Sequence, residues 1–340
     1  MLLAAPGTGA AAEGSAPLVV TSGWSEPGKT AYATCPQGTT LVGGGYDSNP
    51  THLGNGQVSD AVDFNAPSSA SSRPNTWGVQ MDKGQAEAYA MCSKDSDQAP
   101  VVVASDWSKP AQAVYATCPQ GTSLIGGGYD SKPAHLGSGA VADAVNSSVP
   151  SATTPNSWAI RMDKGVAKAY VMCSKDSDQA PVVVASDSWS EPGKTAYATC
   201  PQGTSLIGGG YNSEPTHTGD TANSDAVDFN APSSASSRPN TWGVQMDKGL
   251  AQAYAMCSKD SDQAPVVVAS DWSKPAKAAY ATCPQGTTLA GAGYDSKPAH
   301  LGSGAVADAV NTSVPSATTP NSWAIRMDIG VAKAYVMCTK

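Results

Sequence analysis

One segment of about twenty residues occurs four times in this chain. The first copy is CPQGTTLVGGGYDSNPTHLG, and the copies begin at Cys35, Cys118, Cys200 and Cys283. The intervals between these cysteines are 83, 82 and 83 residues. A constant period of this length indicates one supersecondary unit repeated along the chain. We therefore divide the chain into a segment 1–15 and four repeats, at 16–98, 99–179, 180–263 and 264–340.

A second, longer period groups the repeats into two pairs. The segment DFNAPSSASSRPNTWGVQMDKG occurs at Asp63 and again at Asp228, in the first and third repeats. The second and fourth repeats share GSGAVADAVN and SVPSATTPNSWAIRMD instead. The order is therefore ABAB, where A denotes repeats 1 and 3 and B denotes repeats 2 and 4.

The eight cysteines give each repeat one early and one late thiol. Alanine accounts for much of the apolar content, so each repeat has little large apolar surface to bury and needs another source of stability. CxxC and HxxxH spacings are absent, which disfavours zinc as the reason for the pairs. We predict one disulfide per repeat, and hence a protein outside the reducing cytosol. The predicted pairs are Cys35–Cys92, Cys118–Cys173, Cys200–Cys257 and Cys283–Cys338.

The local patterns predict strands and turns throughout. In TWGVQM, Trp77, Val79 and Met81 share one face, and in KTAYATC and EAYAMC the alanines and the cysteine share one face. No stretch has helical spacing with caps. We predict an all-β protein of four tandem antiparallel units, each a small sandwich or barrel closed by its disulfide. The alternative is a single four-fold propeller-like ring, because the connections between repeats are short.

The frame C-P-x-G-x4-G-G-G, then a tryptophan in a strand, then A-Y-x-x-C resembles a small cysteine-paired β module of secreted actinobacterial proteins. The resemblance covers the segment from Cys35 to Cys92 and its three copies. It implies secretion and an all-β unit, and it implies no catalytic residue. The fourth repeat departs from the frame at Ala292, where the others have glycine, so this position does not require a backbone conformation reserved for glycine.

Charge and hydropathy exclude some partners. The formal net charge is -8, only 14% of residues are charged, and no basic run is present, so we expect no nucleic-acid partner. No run approaches eighteen apolar residues, so we expect no membrane insertion. Residues 1–15 are consistent with a secretory leader remnant or with a disordered tail. We expect no cofactor and no metal ion.

Catalysis is not favoured by any motif. The triplet Gly43 to Gly45 lacks the GK[ST] and the helix of a phosphate loop, and no G-x-S-x-G elbow occurs. Asp47 of repeat 1 corresponds to Asn212 of repeat 3, which argues against a carboxylate needed for proton transfer. We therefore predict a protein that is not an enzyme, and a secreted hydrolase ranks third among the functions considered.

Two groups of residues are candidate binding sites. The segment YDSNPTH and its copies combine an aromatic ring, a planar polar group and a histidine in a predicted loop, a set suited to a sugar. The motif W-S-[EK]-P places a tryptophan beside a turn, where it can stack on a sugar or fill the gap between repeats. The first group is Tyr46, Asp47, His52, Tyr129, Asp130, His135, Tyr211, Asn212, His217, Tyr294, Asp295 and His300, and the second is Trp24, Trp107, Trp189 and Trp272.

Repetition gives these candidate sites a physical purpose. Several weak sites on one chain raise the effective concentration at a surface that displays repeated sugars. The leading hypothesis is a secreted, multivalent, lectin-like protein that binds glycans or cell-surface polysaccharide, with one site per repeat. The alternative is a structural or spacer protein of a cell surface or spore, in which tandem repeats supply length.

Overall fold

The computed structural model describes residues 16–94, 98–176, 179–219, 222–261 and 263–339. Residues 1–15, for which a leader remnant or a disordered tail was predicted, lie outside these ranges. All regular structure in the described ranges is β-strand, with six strands in each repeat. Within the same ranges there is no helix long and apolar enough to cross a membrane.

The strand bounds are nearly the same in all four repeats. Repeat 1 contains β1 (Leu18–Trp24), β2 (Ala31–Thr34), β3 (Thr40–Asn49), β4 (Val62–Pro67), β5 (Thr76–Met81) and β6 (Gln85–Ser93). Repeat 2 contains β7 (Val101–Ala104), β8 (Val114–Thr117), β9 (Ser123–Lys132), β10 (Ser147–Pro150), β11 (Ser157–Arg161) and β12 (Val166–Ser174). Repeat 3 contains β13 (Val182–Ala185), β14 (Thr195–Thr199), β15 (Ser205–Glu214), β16 (Val227–Pro232), β17 (Thr241–Met246) and β18 (Leu250–Ser258). Repeat 4 contains β19 (Val266–Ala269), β20 (Ala279–Thr282), β21 (Thr288–Lys297), β22 (Thr312–Pro315), β23 (Ser322–Arg326) and β24 (Val331–Thr339).

The strands form four six-stranded antiparallel sheets, which are the blades of a four-bladed propeller ring. Each blade takes three strands from one repeat and three from the next, and we name it by those repeats. The strand orders are β2-β5-β4-β9-β12-β7 in blade 1/2, β8-β11-β10-β15-β18-β13 in blade 2/3, β14-β17-β16-β21-β24-β19 in blade 3/4, and β20-β23-β22-β3-β6-β1 in blade 4/1.

Blade 4/1 closes the ring. In this blade β22 of the last repeat pairs with β3 of the first, with Thr312 opposite Asp47 and Ser313 opposite Tyr46. The same pairing joins β4 to β9, β10 to β15 and β16 to β21. The repeats are therefore not independent domains joined by linkers, because each one completes its neighbours' sheets. The repeats assemble as a single propeller-like ring, which the sequence analysis gave as the alternative architecture.

Within a repeat, the two half-sheets pack face to face over an alanine-rich core. Ala31 and Ala33 of β2 and Ala88 and Ala90 of β6 are buried, and Trp77 and its counterparts Trp158, Trp242 and Trp323 are buried with them, as predicted. The small alanine side chains let the two layers approach closely enough for a disulfide. All four predicted disulfides are present, each with a Cα–Cα distance of 5.7 Å. Four disulfides indicate an oxidising, extracellular environment.

A methionine from each repeat completes the core of a neighbour. Met172 of repeat 2 packs in the core of repeat 1, and Met91 of repeat 1 packs in the core of repeat 4. Met256 and Met337 make the corresponding contacts in repeats 2 and 3. No core is complete without the next repeat, so stability is shared around the ring.

The glycine triplet is needed for close packing. The ladder between β3 and β6 shifts register between Leu41 and Gly43, which is a bulge. A Cβ on Gly44 would lie 2.2 Å from Cδ2 of Trp77. A Cβ on Gly45 would lie 2.1 Å from the backbone oxygen of Ser313, in the next repeat of the ring. None of the three has a positive φ, so the conformational expectation drawn from Ala292 is confirmed.

We expect substitution of the second and third glycines to differ in cost. A Cβ at Gly44 meets the Trp77 ring and lies 2.6 Å from the Tyr89 carbonyl oxygen of its own repeat. Repeat 4 already carries Ala292 at this position, so we expect Gly44→Ala to lose about 1 to 3 kcal/mol. Gly45→Ala meets the backbone of a neighbouring strand, so we expect a loss above about 4 kcal/mol. Urea unfolding of both variants measures the difference. Equal losses would show that the junction between repeats is not tightly packed.

Candidate functional site

The pleat of a strand separates the residues of the first candidate group. Tyr46 and Asp47 were predicted in a loop, but β3 extends to Asn49. Successive side chains of a strand point to opposite faces, so Tyr46 lines a cavity on the ring axis while Asp47 lies on the other face. The same separation holds for Tyr129 and Asp130, Tyr211 and Asn212, and Tyr294 and Asp295.

The four tyrosines tie neighbouring repeats together. The Tyr46 hydroxyl donates to the carbonyl of Val310 at 3.0 Å, and the Tyr211 hydroxyl donates to that of Val145 at 3.0 Å. Tyr129 and Tyr294 donate to Val62 and Val227 in the same way. Burial raises the pKa of the Tyr46 hydroxyl well above its usual range, so it remains a proton donor. These rings support the assembly and do not form exposed platforms.

Blade 3/4 brings members of both candidate groups together. A cleft of about 550 Å³ is lined by Trp272, Asp295 and His300, with Phe229 and Tyr335 beside them. Trp272 and His300 are exposed, and Asp295 is half-buried. Asp295 lies directly opposite Phe229 across the junction between repeats 3 and 4. The cleft is thus built by two repeats.

The polar groups of this cleft are held in place. Burial raises the pKa of the Asp295 carboxyl to about 6, and Lys333 and Lys297 limit the rise. The Lys297 ammonium lies 4.5 Å above the centre of the Trp272 ring, a cation–π contact. Phe229 and Tyr335 meet edge to face with ring centres 5.4 Å apart. In the part of the chain that the structure describes, the Asp295 carboxylate accepts no side-chain hydrogen bond, so it is available to a ligand.

Equivalent residues have the same arrangement in blade 1/2. Asp130 lies opposite Phe64, and Phe64 meets Tyr170 edge to face with ring centres 5.4 Å apart. The Lys132 ammonium lies 4.4 Å above the Trp107 ring. Burial again raises the pKa of Asp130 to about 6, against the opposing effect of Lys168 and Lys132. Blades 1/2 and 3/4 are both formed by an A repeat followed by a B repeat, and we call them the A-to-B blades.

The other two blades differ at the same positions. In blade 4/1, Asp47 accepts hydrogen bonds from Thr312 Oγ1 at 2.7 Å and from Arg326 Nη2 at 3.0 Å. In blade 2/3, Asn212 accepts a hydrogen bond from Ser147. Trp24, 49% exposed, is more accessible than the other tryptophans of its group, whereas Trp189 is half-buried. We call these two the B-to-A blades. In both, the side-chain oxygen that was predicted to bind ligand already accepts a hydrogen bond from another side chain of the protein.

Three sequence differences accompany this alternation. Phe64 and Phe229 of the A repeats correspond to Ser147 and Thr312 of the B repeats in the strand register. Gln80 corresponds to Arg326 by the same register. In blade 4/1 the Thr312 hydroxyl and the Arg326 guanidinium hold Asp47. In the A-to-B blades a phenylalanine occupies the position of Thr312 and a glutamine that of Arg326, so neither of these hydrogen bonds forms.

The third difference is a buried carboxyl beside the A-to-B junction. Asp63 and Asp228 are 4% and 3% exposed, and in each the Oδ1 atom is buried without a hydrogen-bond partner. Oδ2 of Asp228 accepts the Asp247 N–H at 2.8 Å. Burial, with the nearby carboxylates, raises the pKa of both groups to about 8. The B repeats have Asn146 and Asn311 at this position.

We expect the double variant Asp63→Asn/Asp228→Asn to lose a pH dependence of stability. In the folded state these carboxyls keep their protons up to about pH 8, whereas the unfolded chain releases them at about pH 4. The folded state therefore binds more protons between these limits, so the free energy of unfolding of the natural protein falls as pH rises from about 4 to about 8.

At pH 8 the variant should be more stable than the natural protein by at least about 1 kcal/mol per site, because an amide carries no charge to bury. At pH 5 the difference should shrink. Urea unfolding at the two pH values measures it, and Asn146→Asp/Asn311→Asp is the reciprocal control. A stability difference that does not change with pH would contradict the assignment of these carboxyls.

The sequence analysis did not identify Phe64, Phe229, Asp63 and Asp228 as parts of a site. One signal was visible, since the only two phenylalanines of the chain stand at equivalent positions of the A repeats. All four histidines are exposed, and each forms an isolated β-bridge, His52 with Val58, His135 with Val141, His217 with Asn223 and His300 with Val306. Among the described residues, no three histidine, cysteine or acidic side chains group as metal ligands. No known family model and no curated protein matches the sequence.

Proposed function

We propose that the protein is a secreted, multivalent carbohydrate-binding protein whose sites are the clefts of the two A-to-B blades. The observation that carries this proposal is the convergence of Trp272, Asp295 and His300 in one cleft. The tryptophan and the segment with the aspartate and the histidine were separate candidates along the chain, and all three residues belong to repeat 4. Repeat 3 supplies another part of the wall with Phe229, Gln245 and Thr195, so the cleft requires two repeats.

The chemistry of the cleft suits a sugar. The Asp295 carboxylate, which has no side-chain hydrogen-bond partner among the described residues, can accept hydrogen bonds from a pair of sugar hydroxyls. The rings of Trp272 and Tyr335 supply apolar surface for the C–H groups of a sugar. Gln245 and Thr195, hydrogen-bonded to each other at 2.8 Å, add planar polar and hydroxyl groups. A volume of about 550 Å³ falls within the range of about 300 to 1,000 Å³ found for small-molecule sites.

The closed ring supports multivalency more than length. Blades 1/2 and 3/4 are both fixed in one ring, so the cleft of blade 3/4 and the equivalent residues of blade 1/2 are presented at a constant separation, which raises avidity for repeated ligands. A spacer would gain length with each added repeat, but repeats that close a ring add no length. Tandem repetition, which favoured the spacer alternative by supplying length, therefore no longer supports it.

One observation favours a hydrolase as a second candidate. Asp228, with its raised pKa, and Asp295 line the same cleft, and a protonated carboxyl near an ionised one is the arrangement of a glycosidase. Asp228 is only 3% exposed, so its proton cannot reach a substrate without movement of the strand. We therefore propose binding without turnover.

The test is binding to a broad glycan array, followed by matched histidine variants. We expect His135→Ala/His300→Ala to weaken binding of the selected glycan by tenfold or more, about 1.4 kcal/mol. His52→Ala/His217→Ala removes the same side chains from the A repeats and should leave binding unchanged. Melting curves should be the same for both, since all four histidines are exposed. Release of reducing sugar from the bound glycan would identify a hydrolase, and the absence of any array signal would reject the proposal.

A further inference from the structure

The four tryptophans of the W-S-[EK]-P motif are held in the same way in their repeats. In each repeat the serine that follows the tryptophan is bonded to an alanine of the last strand. The Ser25 N–H donates to the Ala86 carbonyl at 2.8 Å, and the Ala86 N–H donates to Ser25 Oγ at 3.2 Å. The same pair of hydrogen bonds joins Ser108 to Ala167, Ser190 to Ala251 and Ser273 to Ala332. The surroundings of the four rings can therefore be compared position by position.

In the B repeats a lysine ammonium lies over the tryptophan ring. Lys132 Nζ is 4.4 Å from the centre of the Trp107 ring, and Lys168 Nζ is 5.6 Å from it. Lys297 Nζ is 4.5 Å from the centre of the Trp272 ring. The negative face of an indole ring attracts a cation placed in this way. Each B repeat has lysine at three positions near the tryptophan, which are Lys109, Lys132 and Lys168 in repeat 2 and Lys274, Lys297 and Lys333 in repeat 4.

Repeat 1 has lysine at none of these three positions. The residues that replace the lysines are Glu26, Asn49 and Glu87. Glu87 lies directly opposite Trp24 in the ladder between β1 and β6. Its carboxylate is held by the Gly23 N–H at 3.2 Å and by the Tyr89 hydroxyl at 3.1 Å. The three positive charges around a B-repeat tryptophan are therefore replaced by two negative charges around Trp24.

The negative charges and the ring of repeat 1 have no cationic partner of their own. Among the described residues, neither Glu26 nor Glu87 forms an ion pair, and no lysine or arginine lies over the Trp24 ring. Trp24 is 49% exposed, against 36% and 37% for the two rings that lysines cover. Repeat 3 also lacks the lysines, but there Trp189 is half-buried and Gln252 takes the position of Glu87. An open ring and an adjacent carboxylate therefore coincide in repeat 1.

We propose that Trp24 and Glu87 form a binding site for the ammonium group of a primary alkylamine. The ammonium lies over the Trp24 ring, as a lysine ammonium does in the B repeats, and Glu26 and Glu87 supply the opposite charge. The net charge of -8 favours the approach of a cation. This site belongs to blade 4/1, whereas the carbohydrate clefts belong to the A-to-B blades, so the inference does not depend on the proposed function.

n-Butylammonium and 1-butanol are matched probes of this site. The first reproduces the lysine side chain, and the second has nearly the same length without the charge. The indole N–H resonance of Trp24, assigned by its absence from Trp24→Ala, reports binding in an NMR titration at constant ionic strength. We expect a shift that saturates, with an affinity about fivefold higher for n-butylammonium than for 1-butanol, from one exposed cation–π contact and one exposed ion pair.

Exchange of residues between repeats supplies the variants. Glu26→Lys/Asn49→Lys/Glu87→Lys gives repeat 1 the lysines of a B repeat, which should cover Trp24 and abolish the response to n-butylammonium. Glu87→Gln preserves the shape of the side chain and should weaken n-butylammonium binding about twofold or more. The reciprocal variant Lys274→Glu/Lys297→Asn/Lys333→Glu should make the Trp272 resonance respond to n-butylammonium. Melting curves check that each variant is folded.

Four results would overturn the inference. They are equal affinities for the two probes, a shift that sodium chloride alone reproduces, an unchanged titration in both repeat 1 variants, and no response of Trp272 in the reciprocal variant. Light scattering supplies a fifth test. A dimer of the natural protein that dissociates in the triple-lysine variant would also overturn it, because lysines of a second copy would then occupy the site in place of a small amine.

Discussion

A chain that ends at residue 263 should lose its cooperative fold, although three complete repeats remain. Removal of repeat 4 leaves β3 without β22 and β16 without β21, the strands that pair with them across the junctions. It also removes Met337 from the core of repeat 3 and exposes Met91, which packs in the core of repeat 4. Open sheet edges and exposed apolar surface favour aggregation. We expect aggregated protein, or a broad unfolding transition, in size-exclusion chromatography and calorimetry.

A circular permutant provides the matched control. Residues 99–340 followed by 16–98, joined by a copy of the natural connection 94–100, keep every strand and every junction. This chain should unfold in one sharp transition near that of the natural protein, because the ring is intact. A stable, monomeric three-repeat fragment would show that the repeats are independent domains, contrary to the strand pairing described here.

Reduction of the disulfides should have the next largest effect. Cys35 follows β2 of blade 1/2 and Cys92 lies in β6 of blade 4/1, so each disulfide joins two blades. The enclosed loops of 55 and 57 residues correspond to a stabilisation of about 4 kcal/mol each in the chain-entropy model. Cores built largely of alanine offer little apolar burial to replace it. We expect the reduced protein to unfold at a temperature at which the oxidised protein is fully folded.

Variants that lack one disulfide each show whether the four disulfides contribute similarly to stability. We expect Cys35→Ala/Cys92→Ala and Cys118→Ala/Cys173→Ala to lose similar free energies of unfolding, because both pairs occupy equivalent positions. Urea unfolding measures the loss, and mass spectrometry after alkylation counts the thiols before and after reduction. Alkylation of cysteines in the native, unreduced protein would contradict the four pairs. Unchanged urea midpoints in the variants would contradict the stabilisation that we assign to each disulfide.

The strands and the disulfides could be predicted from sequence because their signals are local. Alternation assigned Trp77 and its counterparts to the core, and regular spacing paired the cysteines. Two features of the structure depend on contacts between residues that are distant in the chain, so local patterns did not predict them. The junction between repeats depends on Gly45 lying against Ser313, which is distant in the chain. The end of β3 was misjudged because Pro50 and the polar residues before it favour a turn, yet pairing with β6 continues the strand to Asn49.

The error about β3 changed the predicted site. A loop allows Tyr46, Asp47 and His52 to face one ligand, whereas a strand sends the first two to opposite faces. The number of sites that we propose differs from the number of motif copies for a related reason. Four copies of a motif suggested four equivalent sites, but a site built by two repeats depends on their order, and ABAB produces two kinds of junction. The two kinds of junction differ at two positions, which are Phe64 and Gln80 in an A repeat and Thr312 and Arg326 in a B repeat.

The number of carbohydrate sites per chain tests the central proposal most directly. Titration calorimetry with the glycan selected on the array should give two sites on the natural protein, one in each A-to-B blade. Trp272→Ala should leave one site, and Trp107→Ala/Trp272→Ala should leave none, while Trp24→Ala/Trp189→Ala should retain two. Four sites on the natural protein, or two sites that survive the loss of Trp107 and Trp272, would contradict the assignment of binding to these clefts.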